Sequence, residues 1–467
     1  MSAETVLIIG VGVVLALPLL WRGLSRRLDP FEPMVIFALA WGVMFVLRPA
    51  AILIRSDYIF YGVDISSTLG RAILLGLVGA VAFVVGYEFS LGRRAAAWLP
   101  APPQDVAPRA ALQVAFGATG LGLAAFGLFL ASSGGLDAFE TFFHGRTLEL
   151  DELIEKSTIY LWYGSLLVVP AALVAFACAV ADRRPATVFS AALLSTLALL
   201  RTVPIGNRIF ILLLVGPAIV FVFLRARRRP GVVAAVVGLT LALVASYVVL
   251  TVRDPETRGG PTAMLHGLVT TPSRVVSPLI KGPDAEMAPA LAGALLVVPS
   301  ELPRRYGRAT IGDLFVRPIP RQLWAGKPDT PGHEVTAKVW PVARATGDFD
   351  PAFTPLLYFY WDFGLPGVFV GMALFGIGAR ALYVYLLRHE RSLLAQLLFA
   401  AGIWYLVIAV RYDPVSVIVW GIILFVPIVA ALVWRAPSRG CDSQHVSGHS
   451  VEQPQTETVS SSGGCAP

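Results

Sequence analysis

The chain has 467 residues, of which 56% are hydrophobic and 14% are charged, and its formal net charge is +7. This composition excludes a soluble globular protein, because too little polar surface would remain to face water. The positive charge lies in short arginine clusters between apolar runs, which is typical of cytoplasmic membrane loops and does not indicate a nucleic-acid partner. The three cysteines have neither disulfide-framework nor metal-ligand spacing.

Apolar runs follow one another along most of the chain, and each is close to the length of about 20 residues that crosses a bilayer as a helix. We therefore predict an all-α polytopic membrane protein with about 11 transmembrane helices. The runs cover residues 6–21, 31–54, 70–91, 110–132, 158–181, 186–203, 206–224, 231–252, 355–386, 393–410 and 415–434.

This pattern divides the chain into four parts. Residues 1–252 hold transmembrane helices 1–8, residues 253–354 form one long extracytoplasmic loop, and residues 355–435 hold helices 9–11. Residues 436–467 have no periodic apolar pattern and are expected to be a disordered cytoplasmic tail. Inside the loop, residues 289–300 are apolar but too short to cross, so we expect them to lie at the interface or to pack against the helices as a re-entrant piece.

Arginine-rich loops alternate with loops that are poorer in cations. By the positive-inside rule this predicts a multi-pass protein with the N-terminus outside and the C-terminus in the cytoplasm. The arginines that set this orientation are Arg22, Arg26, Arg27, Arg93, Arg94, Arg183, Arg184, Arg225, Arg227, Arg228, Arg229, Arg388 and Arg391. The abundance of Ala, Gly, Val, Arg and Pro suggests a GC-rich bacterial genome, and we therefore expect the bacterial inner membrane.

Five arginines lie at the opposite membrane face, where the rule does not expect them: Arg48, Arg201, Arg208, Arg253 and Arg411. A charged side chain at membrane depth costs about 2.5–3.5 kcal/mol on insertion scales, so such residues usually face the bundle interior and hold a partner. Snorkelling to lipid phosphates is the alternative. Guanidinium groups suit phosphate oxygens, and the cluster therefore indicates an anionic ligand at the outer leaflet.

One of these arginines has an acidic neighbour in sequence. Asp413 follows Arg411 by two residues and offers it a local ion pair in place of a ligand. Both interpretations of Arg411 stay open at the level of sequence.

The long loop adds further cations, which its acids nearly balance, so a solvated loop of mixed charge is one interpretation. These cations include Arg304, Arg305, Arg308, Arg317, Arg321 and Lys327. The same loop contains His333 beside Glu334, after a Pro-Gly pair that favours a defined turn. Imidazole is the commonest general base near neutral pH, which makes His333 and Glu334 the candidate catalytic residues.

Aromatic residues lie close to these polar groups. Trp324, Tyr360 and Trp361 are candidates for stacking on sugar faces, with an aromatic belt at the membrane interface as the alternative.

Motifs for metal or nucleotide chemistry are absent or weak. The Asp-Phe-Asp stretch at 348–350 matches a divalent-metal pattern, but two acids at that spacing often occur by chance, and no metal is assigned. The sequence has neither a phosphate-binding P-loop nor a His-Glu-x-x-His zinc motif. No cofactor is expected, and the lack of a clear mid-span acid argues against an ion-coupled carrier.

Three stretches resemble the bacterial O-antigen polymerase (Wzy-like) and oligosaccharide repeat unit polymerase families. They are "IGNRIFILLL" from residue 205, "IPRQLWAGKPDTPGHE" from residue 319, and "DPAFTPLLYFYWDFGLPGVFVGMALFGIG" from residue 350. The resemblance implies a GT-C-like fold and a metal-independent, inverting glycosyl transfer at the outer leaflet. The donor would be a growing glycan on polyprenyl diphosphate and the acceptor the next lipid-linked repeat unit.

The resemblance also implies roles for particular residues. Arg208 looks like the small-residue-Arg motif and Arg321 like the loop arginine, both for the diphosphate, and His333 looks like the base. Arg411 and Arg48 join the diphosphate-binding set by their positions. In this chain "GNR" replaces the more usual Ser-Arg-Gly type of turn.

The implied chemistry agrees with the arginines, because preorganised cations stabilise the negative charge that grows on a departing diphosphate. The expected partners are the lipid-linked oligosaccharide, membrane lipids and a chain-length regulator. Three alternatives share most of these features: an O-antigen ligase, a lipid-linked oligosaccharide flippase, and another GT-C glycosyltransferase using Asp57 or Asp64 of the first external loop.

Overall fold

The structure is a computed structural model that describes most of the chain. The described residues are 2–25, 28–103, 106–133, 135, 137, 159–202, 208–228, 231, 285–317, 319, 323–324, 326–346 and 351–433. The predicted tail at 436–467 and most of the first third of the predicted loop lie outside them.

Helices make up nearly all of the regular structure in these residues. Along the first half of the chain they are α1 Ala3–Leu24, α2 Pro33–Gly42, a π-turn Val43–Leu47, α3 Arg48–Arg55, α4 Ser66–Glu88, α5 Ser90–Trp98, α6 Pro108–Ser132, α7 Ile159–Gly164, a 3-10 turn Ser165–Leu167, α8 Val168–Asp182, α9 Pro185–Thr202 and α10 Arg208–Arg225. Further along they are α11 Met287–Val297, a π-turn Arg308–Gly312, α12 Asp313–Val316, α13 Pro331–Val339, α14 Pro341–Thr346, α15 Pro355–Arg388, α16 Leu393–Ala409 and α17 Pro414–Val433. A two-stranded antiparallel hairpin, β1 Ile59–Phe60 and β2 Val63–Asp64, separates α3 from α4.

Eight helical segments of the described chain are long and apolar enough to cross a membrane. They are Ala3–Leu24, Pro33–Arg55, Ser66–Glu88, Pro108–Ser132, Tyr160–Asp182, Pro185–Thr202, Pro355–Arg388 and Pro414–Val433. Two shorter apolar helices, Ile209–Arg225 and Leu393–Ala409, match two further predicted runs. The predicted run at 231–252 lies outside the described residues except for Gly231. The prediction of an all-α polytopic membrane protein is confirmed.

Helices α4 and α15 pack backbone against backbone at one end of the bundle. A Cβ atom at Gly86 would lie 2.1 Å from the carbonyl oxygen of Ala373, and one at Gly376 would lie 2.2 Å from that of Phe83. Small residues allow such close approach, which replaces the hydrophobic effect as a source of helix association inside a membrane. The other elements described below pack against this helix pair.

Helix α15 is broken near its start. Gly364 has φ 67° and ψ −152°, a backbone conformation that L side chains rarely adopt, and Pro366 follows it. The first turns of α15, residues 355–363, therefore leave the axis of the rest of the helix. They carry Tyr360, Trp361 and Asp362 toward the polar segment that follows α11.

The short apolar helix α11 is buried among the other helices. The hydroxyl of Thr68 on α4 donates a hydrogen bond to the carbonyl oxygen of Ala292 over 2.7 Å, and Trp340 packs against Gly293 so closely that a Cβ there would lie 2.3 Å from its ring. Of the two expectations for this apolar stretch, packing against the helices is the one the structure has. It brings the residues after α11 to the end of α4 where Arg71 lies.

The other end of α4 carries a buried ionic cluster, which we call the Glu32 cluster: Arg22, Glu32, Tyr87, Glu88 and Arg380. Nε of Arg22 lies 3.0 Å from Glu32, and a second nitrogen of Arg22 contacts Glu88. Arg380 lies 3.6 Å from Glu32, whose carboxylate also accepts a 2.9 Å hydrogen bond from the Tyr87 hydroxyl. Two arginines and two glutamates balance one another and join α1, α4 and α15.

Candidate functional site

Two arginines meet at Tyr360 on the first turns of α15. Arg71, on the second turn of α4, donates a hydrogen bond of 3.4 Å to the Tyr360 hydroxyl. Arg304 donates one of 2.8 Å to the Tyr360 carbonyl oxygen, and its guanidinium lies 5.3 Å from the centre of the ring. Among the described residues neither guanidinium has a carboxylate at ion-pair distance, although the Glu4 side chain packs against Gly70, the neighbour of Arg71.

The break at Gly364 makes this arrangement possible. The guanidinium of Arg304 lies within about 3 Å of where a Cβ of Gly364 would be, so only glycine leaves room for it. A regular helix would bond the Tyr360 carbonyl to the backbone four residues on. Here the Arg304 guanidinium donates a hydrogen bond to that carbonyl, so the backbone of α15 sets the position of the guanidinium.

The neighbouring arginine, Arg305, is paired with a candidate catalytic residue. Its guanidinium contacts the carboxylate of Glu334 and lies 4.5 Å from the centre of the Trp361 ring. The backbone of the two segments is also joined, since Arg305 N–H donates to the Trp361 carbonyl over 3.3 Å and the Trp361 indole N–H donates to the Pro303 carbonyl over 2.9 Å. Glu334 and Trp361 thus both contact Arg305, and Tyr360 is the residue before Trp361.

The placement of Trp361 corrects one expectation. Its side chain has no exposed surface, because it fills the space between Pro303 and Arg305. It therefore offers no face to a sugar and instead supports Arg305. Tyr360 remains partly exposed beside Arg71, and the proposed sugar contact is best assigned to it.

His333 and Glu334 lie in the first turn of α13. The Thr330 hydroxyl caps this helix by accepting from His333 N–H over 3.4 Å. Gly332 packs against the Tyr358 hydroxyl, which lies 2.9 Å from where a Cβ would be, so α13 is seated on α15 just before the break. Both side chains are partly exposed, and Glu334 faces the Arg305 side of the site.

Trp324 lies apart from these groups. Its ring is partly exposed and its carbonyl accepts a hydrogen bond of 3.0 Å from Lys327 N–H in a turn. Within the described ranges no hydrogen bond or ring contact joins it to Tyr360 or Glu334.

Asp413 does not form the ion pair with Arg411 that the sequence offered as one interpretation. Its carboxylate lies 2.9 Å from a guanidinium nitrogen of Arg317, from the long loop. The guanidinium of Arg411 lies 5.4 Å from the centre of the Tyr412 ring. The local ion pair that sequence offered for Arg411 is replaced by a long-range one between Asp413 and Arg317.

Arg48 lies near an acid that the sequence did not single out. Burial raises the pKa of Glu286, just before α11, to about 7, although the positive charge of Arg48 opposes the shift. Arg48 is thus partly compensated, unlike Arg71 and Arg304.

Arg201 is a buried structural residue. It donates a 2.9 Å hydrogen bond to the Ser165 hydroxyl, and the rings of Phe126 and Trp162 lie 4.6 and 4.3 Å from its guanidinium carbon.

Several predicted features cannot be placed. Arg321, Arg253 and the acids at 348–350 lie outside the described residues, and the same holds for the side chain of Arg208 at the start of α10. In the part of the chain that is described, no three His, Cys, Asp or Glu side chains come together in a group that could hold a metal ion.

Sequence reasoning placed Arg304 and Arg305 in a solvated loop and did not consider Arg71. A usable signal was present, because "PRRYGR" at 303–308 comes directly after an apolar run too short to cross the membrane. A segment that enters the membrane and returns to the same side places the residues that follow it at the membrane surface.

Comparisons with known proteins add no further assignment. No protein-family model matches the chain, and no curated protein or solved structure matches it.

Proposed function

We propose that this protein is a membrane glycan polymerase, which transfers a growing oligosaccharide from polyprenyl diphosphate to the next lipid-linked repeat unit. The observation that carries the proposal is the pair of arginines at Tyr360, which has no carboxylate partner among the described residues. Such a pair at the end of a membrane helix fits an anionic group held at the surface of the bilayer.

The chemistry follows from where charge develops. When the bond between the sugar C1 and the phosphate oxygen breaks, negative charge grows on the departing diphosphate. Arg71 and Arg304 would stabilise that charge more in the transition state than in the ground state. Arg208, Arg321, Arg411 and Arg48 complete the proposed diphosphate-binding set, with Arg48 the weakest member because of Glu286.

The acceptor hydroxyl must lose a proton as it attacks. His333 is the proposed base, and Glu334 is its neighbour in the same helical turn. Because Arg305 pairs with Glu334, that carboxylate is better suited to orient the acceptor than to take the proton. Tyr360 and Trp324 are the proposed sugar contacts, and the proposed reaction uses no metal or cofactor.

The finer architecture belongs to the same proposal. We expect about 11 transmembrane helices in a GT-C-like arrangement, with the Arg71 end of α4 outside and the Glu32 cluster at the cytoplasmic face. The support is the arginine-rich sequence around the second of these ends and the alternation of loops. The N-terminus would lie outside and the C-terminus in the cytoplasm of the bacterial inner membrane.

The test is the profile of lipid-linked oligosaccharides, by mass spectrometry, in a strain that lacks the chain. We expect single repeat units to accumulate in the outer leaflet and polymer to return with the wild type. Arg304→Met should fail to restore it. The matched control is Arg94→Met, which removes an exposed arginine on α5 that lies away from the site.

The alternatives give different profiles. Long lipid-linked chains that are not passed on would indicate a ligase. An unchanged profile in the deletion strain would contradict the proposal altogether.

A flippase is the second candidate, favoured by one observation. A short helix buried among the other helices, as α11 is, is similar to the discontinuous helices from which transporters build binding sites. In that case the repeat units of the deletion strain would be trapped in the inner leaflet.

A further inference from the structure

The segment 303–317, which carries Arg304 and Arg305, is held at two points besides its contacts with Tyr360 and Trp361. At the first, the buried carboxylate of Asp362 accepts hydrogen bonds from Ala309 N–H over 3.0 Å and from Thr310 N–H over 2.9 Å. The Thr310 hydroxyl adds a third, of 2.6 Å. The middle of the segment is therefore fixed to α15 beside the break at Gly364.

The second point is Arg317, at the end of the segment. One of its nitrogens lies 2.9 Å from the Asp413 carboxylate and 2.9 Å from the Ser416 hydroxyl, and another contacts Asp313. Only 12% of the Arg317 side chain is exposed. Asp413 also caps α17, because it accepts from Ser416 N–H over 2.9 Å. Arg317 thus joins the loop to the turn between α16 and α17.

The backbone around Arg317 is fastened as well. Its carbonyl oxygen accepts from the Lys327 ammonium over 2.8 Å and from the Tyr160 hydroxyl over 2.7 Å. Four parts of the chain therefore meet at this one residue: the segment itself, the later loop, α7 and the turn before α17.

The residues around Arg317 differ from the arginines at Tyr360 in their balance of charge. Two cations, Arg317 and Lys327, face two carboxylates, Asp313 and Asp413. Burial disfavours the charged guanidinium, yet the two carboxylates outweigh it and raise the pKa of Arg317 above its ordinary value. A cluster with equal numbers of cations and carboxylates suits the holding of a structure and leaves no excess charge for an anionic ligand.

We propose that Arg317 is a positioning residue, which holds the segment 303–317 on the turn at 410–416 and so fixes Arg304 relative to Arg411. Arg411 precedes Asp413 by two residues, so the Arg317 contact with Asp413 holds the turn that carries it. The consequence for catalysis rests on the proposed function, whereas the holding itself does not.

The experiment is hydrogen–deuterium exchange on the full-length protein in lipid nanodiscs, with Arg317→Met and Asp413→Asn. Asparagine keeps an oxygen for the Ser416 N–H and removes only the charge, so this variant should fold even if Arg317→Met does not. We expect peptides over 308–317 and 410–416 to exchange at least tenfold faster, with α11 unchanged. Lys338→Met is the control, because it removes an exposed ion pair of 3.3 Å to Glu301.

Rescue by a conservative variant separates positioning from general stability. Arg317→Lys should recover most of the slow exchange at 410–416, and with it most of the polymer yield in cells. Unchanged exchange at 410–416 in both Arg317→Met and Asp413→Asn would overturn the inference. Faster exchange without any effect on glycan profiles would support the inference and contradict the proposed function.

Discussion

Arginines lie at both ends of helix α4, but among the described residues they are paired with carboxylates at one end only. At one end Arg22 and Arg380 are matched by Glu32 and Glu88, and at the other Arg71 meets Arg304 at Tyr360 without a described carboxylate. The two ends are about 25 Å apart at about 1.5 Å per residue. At the balanced end the buried charge of Glu32 finds its partners within the chain, whereas at the unbalanced end Arg71 is exposed and Arg304 is partly exposed, so both are open to an anionic ligand. The difference distinguishes a structural cluster from the proposed binding site.

The largest expected effect is a loss of stability when one arginine of the Glu32 cluster is removed. Arg22→Met leaves the carboxylate of Glu32, which is 3% exposed, without its nearest cation. Removing one partner of a buried pair costs about 3–5 kcal/mol. We expect thermal unfolding in detergent to move to a clearly lower temperature.

The matched variant at the unbalanced end is Arg71→Met. Its unfolding temperature should stay close to that of the wild type, since no described carboxylate loses a partner. A similar loss of stability in both variants would mean that the two ends do not differ in the way argued.

The next effect concerns catalysis at the unbalanced end. His333→Ala should lower polymer formation by about a hundredfold, which is at the low end of what a general base contributes. The helix cap should survive the substitution, because it uses the backbone of His333 and the side chain of Thr330. Polymer yields from membranes of cells with equal protein levels give the measurement. A yield within twofold of wild type would remove His333 from the mechanism.

A pH dependence is expected from Glu286. Its pKa is raised from an ordinary value near 4.5 to about 7, so between these values the folded protein holds a proton that the unfolded chain has lost. Stability should therefore fall as pH rises, by at most about 1.4 kcal/mol per unit, and level off above pH 7. Glu286→Gln should flatten this slope in melting curves from pH 5 to pH 8. An identical slope in the variant would show that other groups cause it.

The smallest effect is expected where both partners are exposed. Lys338→Met breaks the pair with Glu301, and exposed pairs contribute about 0–1 kcal/mol. Stability and polymer yield should both stay within error of the wild type. A marked loss in either would show that exposed loop charges matter as much as the buried ones.

The sequence predicted most of the helices because a run of apolar residues at bilayer length has few other uses in a chain of this composition. It also proposed Glu334, Tyr360 and Trp361 as site residues, and the structure places Glu334 and Trp361 against Arg305. It could not predict that Trp361 is buried, because an interfacial tryptophan and a core tryptophan look alike in sequence.

Long-range pairs were the main features that the sequence concealed. Asp413 lies two residues from Arg411 but pairs with Arg317, which is almost a hundred residues away. Arg71 reads as a cation near a helix end, and only the fold brings it to Tyr360. Such contacts depend on how α4, α11 and α15 pack, and no local pattern records that packing.

The most direct test of the central claim uses purified protein in liposomes. The only substrate is the lipid-linked material that accumulates in the deletion strain, and the products are separated by length. We predict that the wild type and Arg94→Met convert it to a ladder of longer lipid-linked glycans, and that the double variant Arg71→Met, Arg304→Met does not. A full ladder from the double variant would contradict the claim that the unbalanced end of α4 holds the substrate.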